Sequence, residues 1–281
     1  MMKLTAEQLK GRIKSLALKN HADARMILRI YMMERFLERV SLSQYKDNFI
    51  LKGGVLVTSL IGIALRATMD IDTTIKNLNV SDNDIREMID RIIAIPLDDG
   101  VSFHIKQISH IMDEMEYPGI RVTLDGISGK LLIPMKIDIS TGDAVTPREV
   151  GYEYKLLLEN RSIVLWSYNI ETLLAEKMQT ILVRGILNTR MRDFYDIYEL
   201  TKLYSNQIDN NVLKAAFHAT CLQRNTLQIE NNGSHIIDII GDDEHMKILW
   251  KSYQRKFGYA REASYNDAIQ SITKLWQLLK S

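Results

Sequence analysis

The stretch LKGGVLVTSLIGIALRATMDID, residues 51–72, holds a glycine pair, an apolar run and two aspartates one residue apart, and its reading sets the architecture of the N-terminal half. Gly53 and Gly54 close a short apolar strand, NFILKGG. They open the run VLVTSLIGIAL, which reads as a helix once the glycines form the turn before it. Asp70 to Lys76 then alternates as a strand does. Residues i and i+2 of a strand share a face about 7 Å apart along the backbone, so Asp70 and Asp72 converge while Ile71 and Ile75 pack on the other side. Two carboxylates that close repel each other, and a divalent cation between them removes the conflict. All-oxygen ligands favour Mg²⁺ or Mn²⁺ over zinc.

A DxD pair also occurs on solvent-facing strands with no such duty, so context decides. Glycines before a helix leave free backbone N–H groups and a helix dipole facing an incoming phosphate, although they also serve as plain turn residues. Arg66 and Thr68 add a cation and a hydroxyl just ahead of the aspartates. Downstream, KIDIS turns Lys136, Asp138 and Ser140 one way and Ile137 and Ile139 the other, which makes Asp138 a third strand-borne carboxylate. Three such carboxylates can hold two metals about 4 Å apart, the arrangement that aligns attacking and leaving oxygens around phosphorus.

The rest of the chain frames this core. Its 281 residues suffice for two modest domains. With 36 Lys+Arg against 35 Asp+Glu, any nucleic-acid binding must rest on a local patch. The single Cys221 excludes an internal disulfide and a CxxC metal knuckle, fits a reducing cytosol, and reads as a core residue. No signal-peptide core and no bilayer-length apolar run is seen, which gives the expectation of a soluble cytoplasmic protein. Two helices precede the glycine strand, with Asn20 or Asp23 as the start of the second. A capped helix begins near Ser81. FHIKQISHIM, GIRVTLDGI, KLLIPMKIDIS and EYKLLL read as strands joined by meander connections. From Ser167 the 3.6-residue period returns in ETLLAEKMQTILVRG, MRDFYDIYELTKLY, NNVLKAAFHATCL, HMKILWKSYQRKFG and YNDAIQSITKLWQLLKS. The expected division is 1–165 for the sheet domain with its N-terminal helices and 166–281 for a helical domain.

Residues 51–72 resemble the first motif of the AbiEii/AbiGii toxin family, a minimal branch of the DNA polymerase β-like nucleotidyltransferases: a GG pair, a helix, then R-x-(S/T)-x-D-x-D. ETLLAEKMQTILVRGILNTRMRDFYDIYEL resembles the family's downstream motif, with a helical Glu-Lys, a following arginine and an R-D-x-x-D helix. The wider superfamily often has serine at the position of Gly54. The resemblance implies an α+β fold, a polymerase β-like core with a mixed sheet flanked by N-terminal helices and a C-terminal helical domain. It also implies that Asp70 and Asp72 ligate Mg²⁺ or Mn²⁺, with Asp138 in the usual place of the third carboxylate. Gly53, Gly54 and Thr68 would border the nucleotide, with Arg66 and Arg184 as further nucleotide-binding cations. Lys177 would reach the phosphates, and Asp193 or Asp196 would be the functional acid of the second block, Asp193 being preferred. Arg184, Arg190 and Arg192 form either a basic patch or a solvated helix surface.

The implied activity is transfer of NMP from an NTP to an RNA acceptor, the 3′ end of tRNA among relatives. The chain would be the toxin of a toxin-antitoxin or abortive phage-infection system, with an antitoxin encoded nearby. A small-molecule nucleotidyltransferase and a nucleotide-binding module without turnover are the alternatives. A two-metal nuclease is disfavoured by the GG-helix element.

Overall fold

The structure, a computed structural model, describes residues 4–64, 66, 68–78, 81–111 and 119–281. The chain divides into two compact units, one of Met1–Gly142 with Val150–Ser167, the other of Asp143–Glu149 with Tyr168–Ser281.

The first unit opens with α1 (Ala6–Lys19) and α2 (Ala24–Leu42). Asp23 caps α2 by accepting from the Arg25 and Met26 amides, while Asn20 ends α1. The glycine stretch folds as β1 (Phe49–Lys52) and α3 (Gly53–Ile61), followed by β2 (Asp70–Ile75) and α4 (Asp82–Ile93). Ser81 starts α4 with a reciprocal capping box to Asp84. Then come β3 (Ser102–Ile111), β4 (Gly119–Ser128), β5 (Leu131–Thr141), β6 (Val150–Lys155) and β7 (Ser162–Ser167). The seven strands form one mixed sheet in the order β3-β4-β5-β2-β1-β7-β6.

That order corrects the expected continuous meander. The meander holds from β3 to β5, but β5 then lies parallel to β2, and the β6–β7 hairpin joins through β7 parallel to β1. Burial explains the choice: Phe49, Ile50, Leu51, Ile71 and Thr73 are fully buried, so β1 and β2 must lie inside the sheet. β7 falls on SIVLWS, a run not read as a strand, and β6 starts ahead of EYKLLL. Met112, the last residue of the FHIKQISHIM run, lies outside the described residues.

α2 is buried at nearly every position from Ile27 to Val40, charged residues included. Each buried charge has a partner. Arg39 forks Asp99 at 2.7 and 3.1 Å and donates to the Val101 carbonyl. Arg161 forks Glu38 at 2.6 and 3.0 Å and Arg35 meets Glu159 at 2.9 Å, while the Glu34 carboxyl, which burial pushes toward its neutral form, accepts from the Leu157 amide. Buried charges are tolerated only with such compensation.

The second unit is helical: α5 (Ile170–Arg184), α6 (Met191–Tyr204), α7 (Asn210–Gln223), α8 (Ile229–Asp242), α9 (Glu244–Lys256) and α10 (Tyr265–Lys280). α8 was not expected, because its Asn-Asn-Gly-Ser reads as a turn. Its Gly233 answers to packing instead: a Cβ there would lie 2.4 Å from the Trp276 ring. Trp250 and Trp276 are buried, whereas Trp166 of the first unit is exposed and donates from its indole N–H to Asp47. Cys221 is fully buried.

Candidate active site

In the first unit, β2 carries Asp70 and Asp72 on one face while Ile71 and Ile75 are buried on the other. Three neighbouring segments converge on them. β1 pairs antiparallel with β2, setting Lys52 opposite Asp72, so the glycine turn that follows β1 emerges beside that carboxylate. β5 runs parallel on the other flank, with Lys136 opposite Asp70 and Asp138 opposite Asp72. β4 pairs antiparallel with β5 and places Arg121 opposite Asp138.

The glycine turn is fitted to Asp72. The Gly54 amide donates to Asp72 Oδ2 at 2.7 Å, a charge-assisted bond at the first turn of α3. Gly53 has φ +57°, and a Cβ there would sit 2.3 Å from Asp72 Oδ2. At Gly54 a Cβ would meet Thr68 Oγ1 at 2.4 Å and Arg66 Nη1 at 3.0 Å. The pair is glycine because a carboxylate, a hydroxyl and a guanidinium leave no room for a side chain. Arg66, 2% exposed, braces the turn from inside by donating to the Gly54 carbonyl at 2.9 Å, which also accepts from Thr58 Oγ1. Thr68 is buried, and its hydroxyl donates to the Asp70 carbonyl.

The carboxylates feel one another. Burial raises the Asp70 pKa above the usual carboxylate range, and the charges of Asp138 and Asp72 raise it further, against the opposing pull of Lys136 and Arg121. Asp138 is held differently: Arg121 Nε donates to its Oδ1 and Nη2 to its Oδ2, both at 2.7 Å. Asp70 and Asp72, two oxygen donors on one face, the first desolvated and repelled by its neighbours, suit a hard divalent cation. Among the described residues no group of three or more His, Cys, Asp or Glu is gathered closely enough to hold a metal ion. In this geometry Asp138 offers its oxygens to Arg121.

The second unit carries the downstream motif as a buried ion cluster. Lys177 on α5 donates from Nζ to Asp193 Oδ1 at 2.8 Å and lies 2.7 Å from Asp196 Oδ2, both on the first turns of α6. Asp193 also meets Arg190 Nε at 3.3 Å. The lysine takes both carboxylates, Asp196 being the more deeply buried. Arg190 joins the cluster, Arg192 lies over the Phe257 ring at 5.9 Å, and the half-buried Arg184 ends α5.

Arg121 was missed by sequence reading, yet a signal for it exists. β4 and β5 are joined by a two-residue turn, Gly129 and Lys130, and counting back from Ser128 and forward from Leu131 brings Arg121 opposite Asp138.

The fold is shared with solved structures of low sequence identity. MenT4, a nucleotidyltransferase toxin from Mycobacterium tuberculosis H37Rv, superposes with TM-score 0.57 at 12% identity, covering 97% of this chain and 99% of that one. JHP933 from Helicobacter pylori gives TM-score 0.51 at 15% identity, covering 92% and 93%. No curated protein matches the sequence. The class is that of a nucleotidyltransferase. Residues 35–274 match the family described as nucleotidyl transferase AbiEii toxin of type IV toxin-antitoxin systems, and the chain belongs to that family. Among the described residues no helix is long and apolar enough to cross a membrane.

Proposed function

We propose that the protein is a metal-dependent toxin that transfers a nucleoside monophosphate from an NTP to an RNA acceptor, with the 3′ end of tRNA as the target. The observation that carries this reading is the clasp of Asp72 by the Gly54 amide beside the desolvated, repelled Asp70. It fixes one of two carboxylates that share a strand face at the point where α3 begins, the end of a helix that favours anions.

Asp70 and Asp72 would hold Mg²⁺ or Mn²⁺, which supplies charge neutralisation for the triphosphate and its pyrophosphate leaving group. The glycine turn would lie along the phosphates. Arg66 acts through that turn, holding the Gly54 carbonyl from behind, while Thr68 packs beside Gly54 and donates to the Asp70 carbonyl. Within the second unit Lys177 is the motif's ammonium, a point charge of the kind suited to phosphate, its position set by Asp193 and Asp196. Asp138 would serve as the third carboxylate once its oxygens are free, ligating metal or accepting the acceptor hydroxyl's proton. Toxicity would be restrained by an antitoxin encoded nearby, with cytoplasmic RNA as the target in phage defence.

The test is incubation of the purified protein with each α-³²P-labelled NTP, Mg²⁺ and total tRNA, beside Asp70→Ala. Label on RNA that vanishes in the variant is the expected result. NTP binding without transfer would replace the reading by nucleotide sensing, label on a small acceptor alone would move the substrate class, and shortened RNA would point to a nuclease.

A further inference from the structure

Arg121 and Asp138 face each other across β4 and β5 in a two-point fork, both bonds at 2.7 Å. Such a fork uses the carboxylate's geometry fully and is among the strongest side-chain pairings. Its surroundings make it unusual. Asp138 stands opposite Asp72 on the parallel strand and opposite Arg121 on the antiparallel one, so the guanidinium holds the flank of a carboxylate whose other flank faces the pair that would receive a cation. The Arg121 side chain is 30% exposed against 13% for Asp138, so the arginine has solvent to swing into while the aspartate stays on the sheet face.

We propose that Arg121 is a latch on Asp138: in the free protein it withholds the third carboxylate from divalent cation, and its release brings Asp138 into the metal site. This rests on the reading of Asp70 and Asp72 as the cation-binding pair. Free protein then presents two carboxylates to metal. The nucleoside triphosphate is the group suited to drawing the guanidinium away, because its phosphates match the same fork. Asp138 would thus join the site when substrate is present, and idle metal binding would be weak. Arg121 is on this view a positioning residue, acting through Asp138.

The test is Mn²⁺ titration without nucleotide, free Mn²⁺ being followed by electron paramagnetic resonance, with thermal melts confirming that each variant is folded. Arg121→Lys keeps the charge but cannot fork both oxygens, so it should tighten Mn²⁺ binding about threefold. Arg121→Met frees Asp138 altogether and should tighten it about tenfold or add a second ion. Arg121→Met with Asp138→Asn should return to the wild-type curve. If Arg121→Lys binds as wild type does while Arg121→Met binds more tightly, the arginine acts only as a distant charge and the latch is refuted. Weaker Mn²⁺ binding in either folded variant also refutes it, since Arg121 would then be building the site. Should Asp70→Asn leave wild-type Mn²⁺ binding unchanged, the cation-binding pair itself is wrong and the latch falls with it. Asp70→Asn abolishing binding while both Arg121 variants match wild type sinks the latch alone.

Discussion

Gly54→Ala probes the contact between the glycine turn and the residues before β2. Alanine is favoured over glycine within a helix by up to ~1 kcal/mol, so a residue merely starting α3 would gain stability from the change. The structure forecasts a loss. The new methyl carbon would lie 2.4 Å from Thr68 Oγ1 and 3.0 Å from Arg66 Nη1, both on buried side chains. Overpacking of a closed site costs about 1–3 kcal/mol. Displacing the turn also weakens the 2.7 Å bond from the Gly54 amide to Asp72, of a kind worth about 1.5–3 kcal/mol. The net expectation is a destabilisation of about 2–4 kcal/mol. Thr68→Ala isolates the cause, since it removes the closest atom at the cost of one 3.3 Å hydrogen bond, about 0.5–1 kcal/mol. The two substitutions should not add: with Thr68 shortened, Gly54→Ala should cost at least ~1 kcal/mol less. Urea unfolding of the four proteins in the cycle measures this, and nucleotidyl transfer by the folded variants should follow the stability order. Strict additivity, or a stabilising Gly54→Ala, would refute the claim that the glycine is required by crowding.

Three further outcomes follow from the same geometry. Burial raises the Glu34 carboxyl from the usual 4.5 to about 8, against the lowering effect of its hydrogen bond from the Leu157 amide. The unfolded chain therefore releases this proton first, and wild-type stability falls as pH rises from 4.5 to about 8. Glu34→Gln should match wild type near pH 4 and exceed it by on the order of 3 kcal/mol at pH 7, read by urea midpoints; equal curves at both pH values would show an ionised, compensated Glu34. Lys177→Met leaves Asp193 and Asp196 without their shared cation and should cost about 3–5 kcal/mol, part of which Asp196→Asn restores; the variant pair is compared by thermal melts. Gly233→Ala should drive a methyl against the Trp276 ring, lowering Tm by several degrees and changing tryptophan fluorescence, whereas a glycine kept only for flexibility would leave both unmoved.

What could be read along the chain was whatever depends on near neighbours. The i, i+2 placement of Asp70 and Asp72, the Ser81 cap and the buried Ile71 follow from strand alternation and capping chemistry. The glycine pair was legible as a turn but not as the seat of Asp72, because that contact joins residues 18 apart. β7 escaped notice although Ser162–Ser167 alternates, because Val164 and Trp166 sit on its outward face and blur the pattern. α8 was hidden by Gly233, whose reason is a ring on another helix. Lys177, Asp193 and Asp196 were all marked, yet their joining into one ion cluster depends on how α5 packs on α6.

The turn of Gly129 and Lys130 fixes the register of β4 on β5, and eight residues beyond it that register decides what faces Asp138. Adding or removing one residue in the turn would slide Arg121 off its partner and bring Ile120 or Val122, apolar residues of the other face in this register, across from Asp138. A length change about 26 Å away would then act as a substitution beside Asp138. Turn length is in that sense a site determinant, and homologous chains differing there should differ in how they hold the third carboxylate.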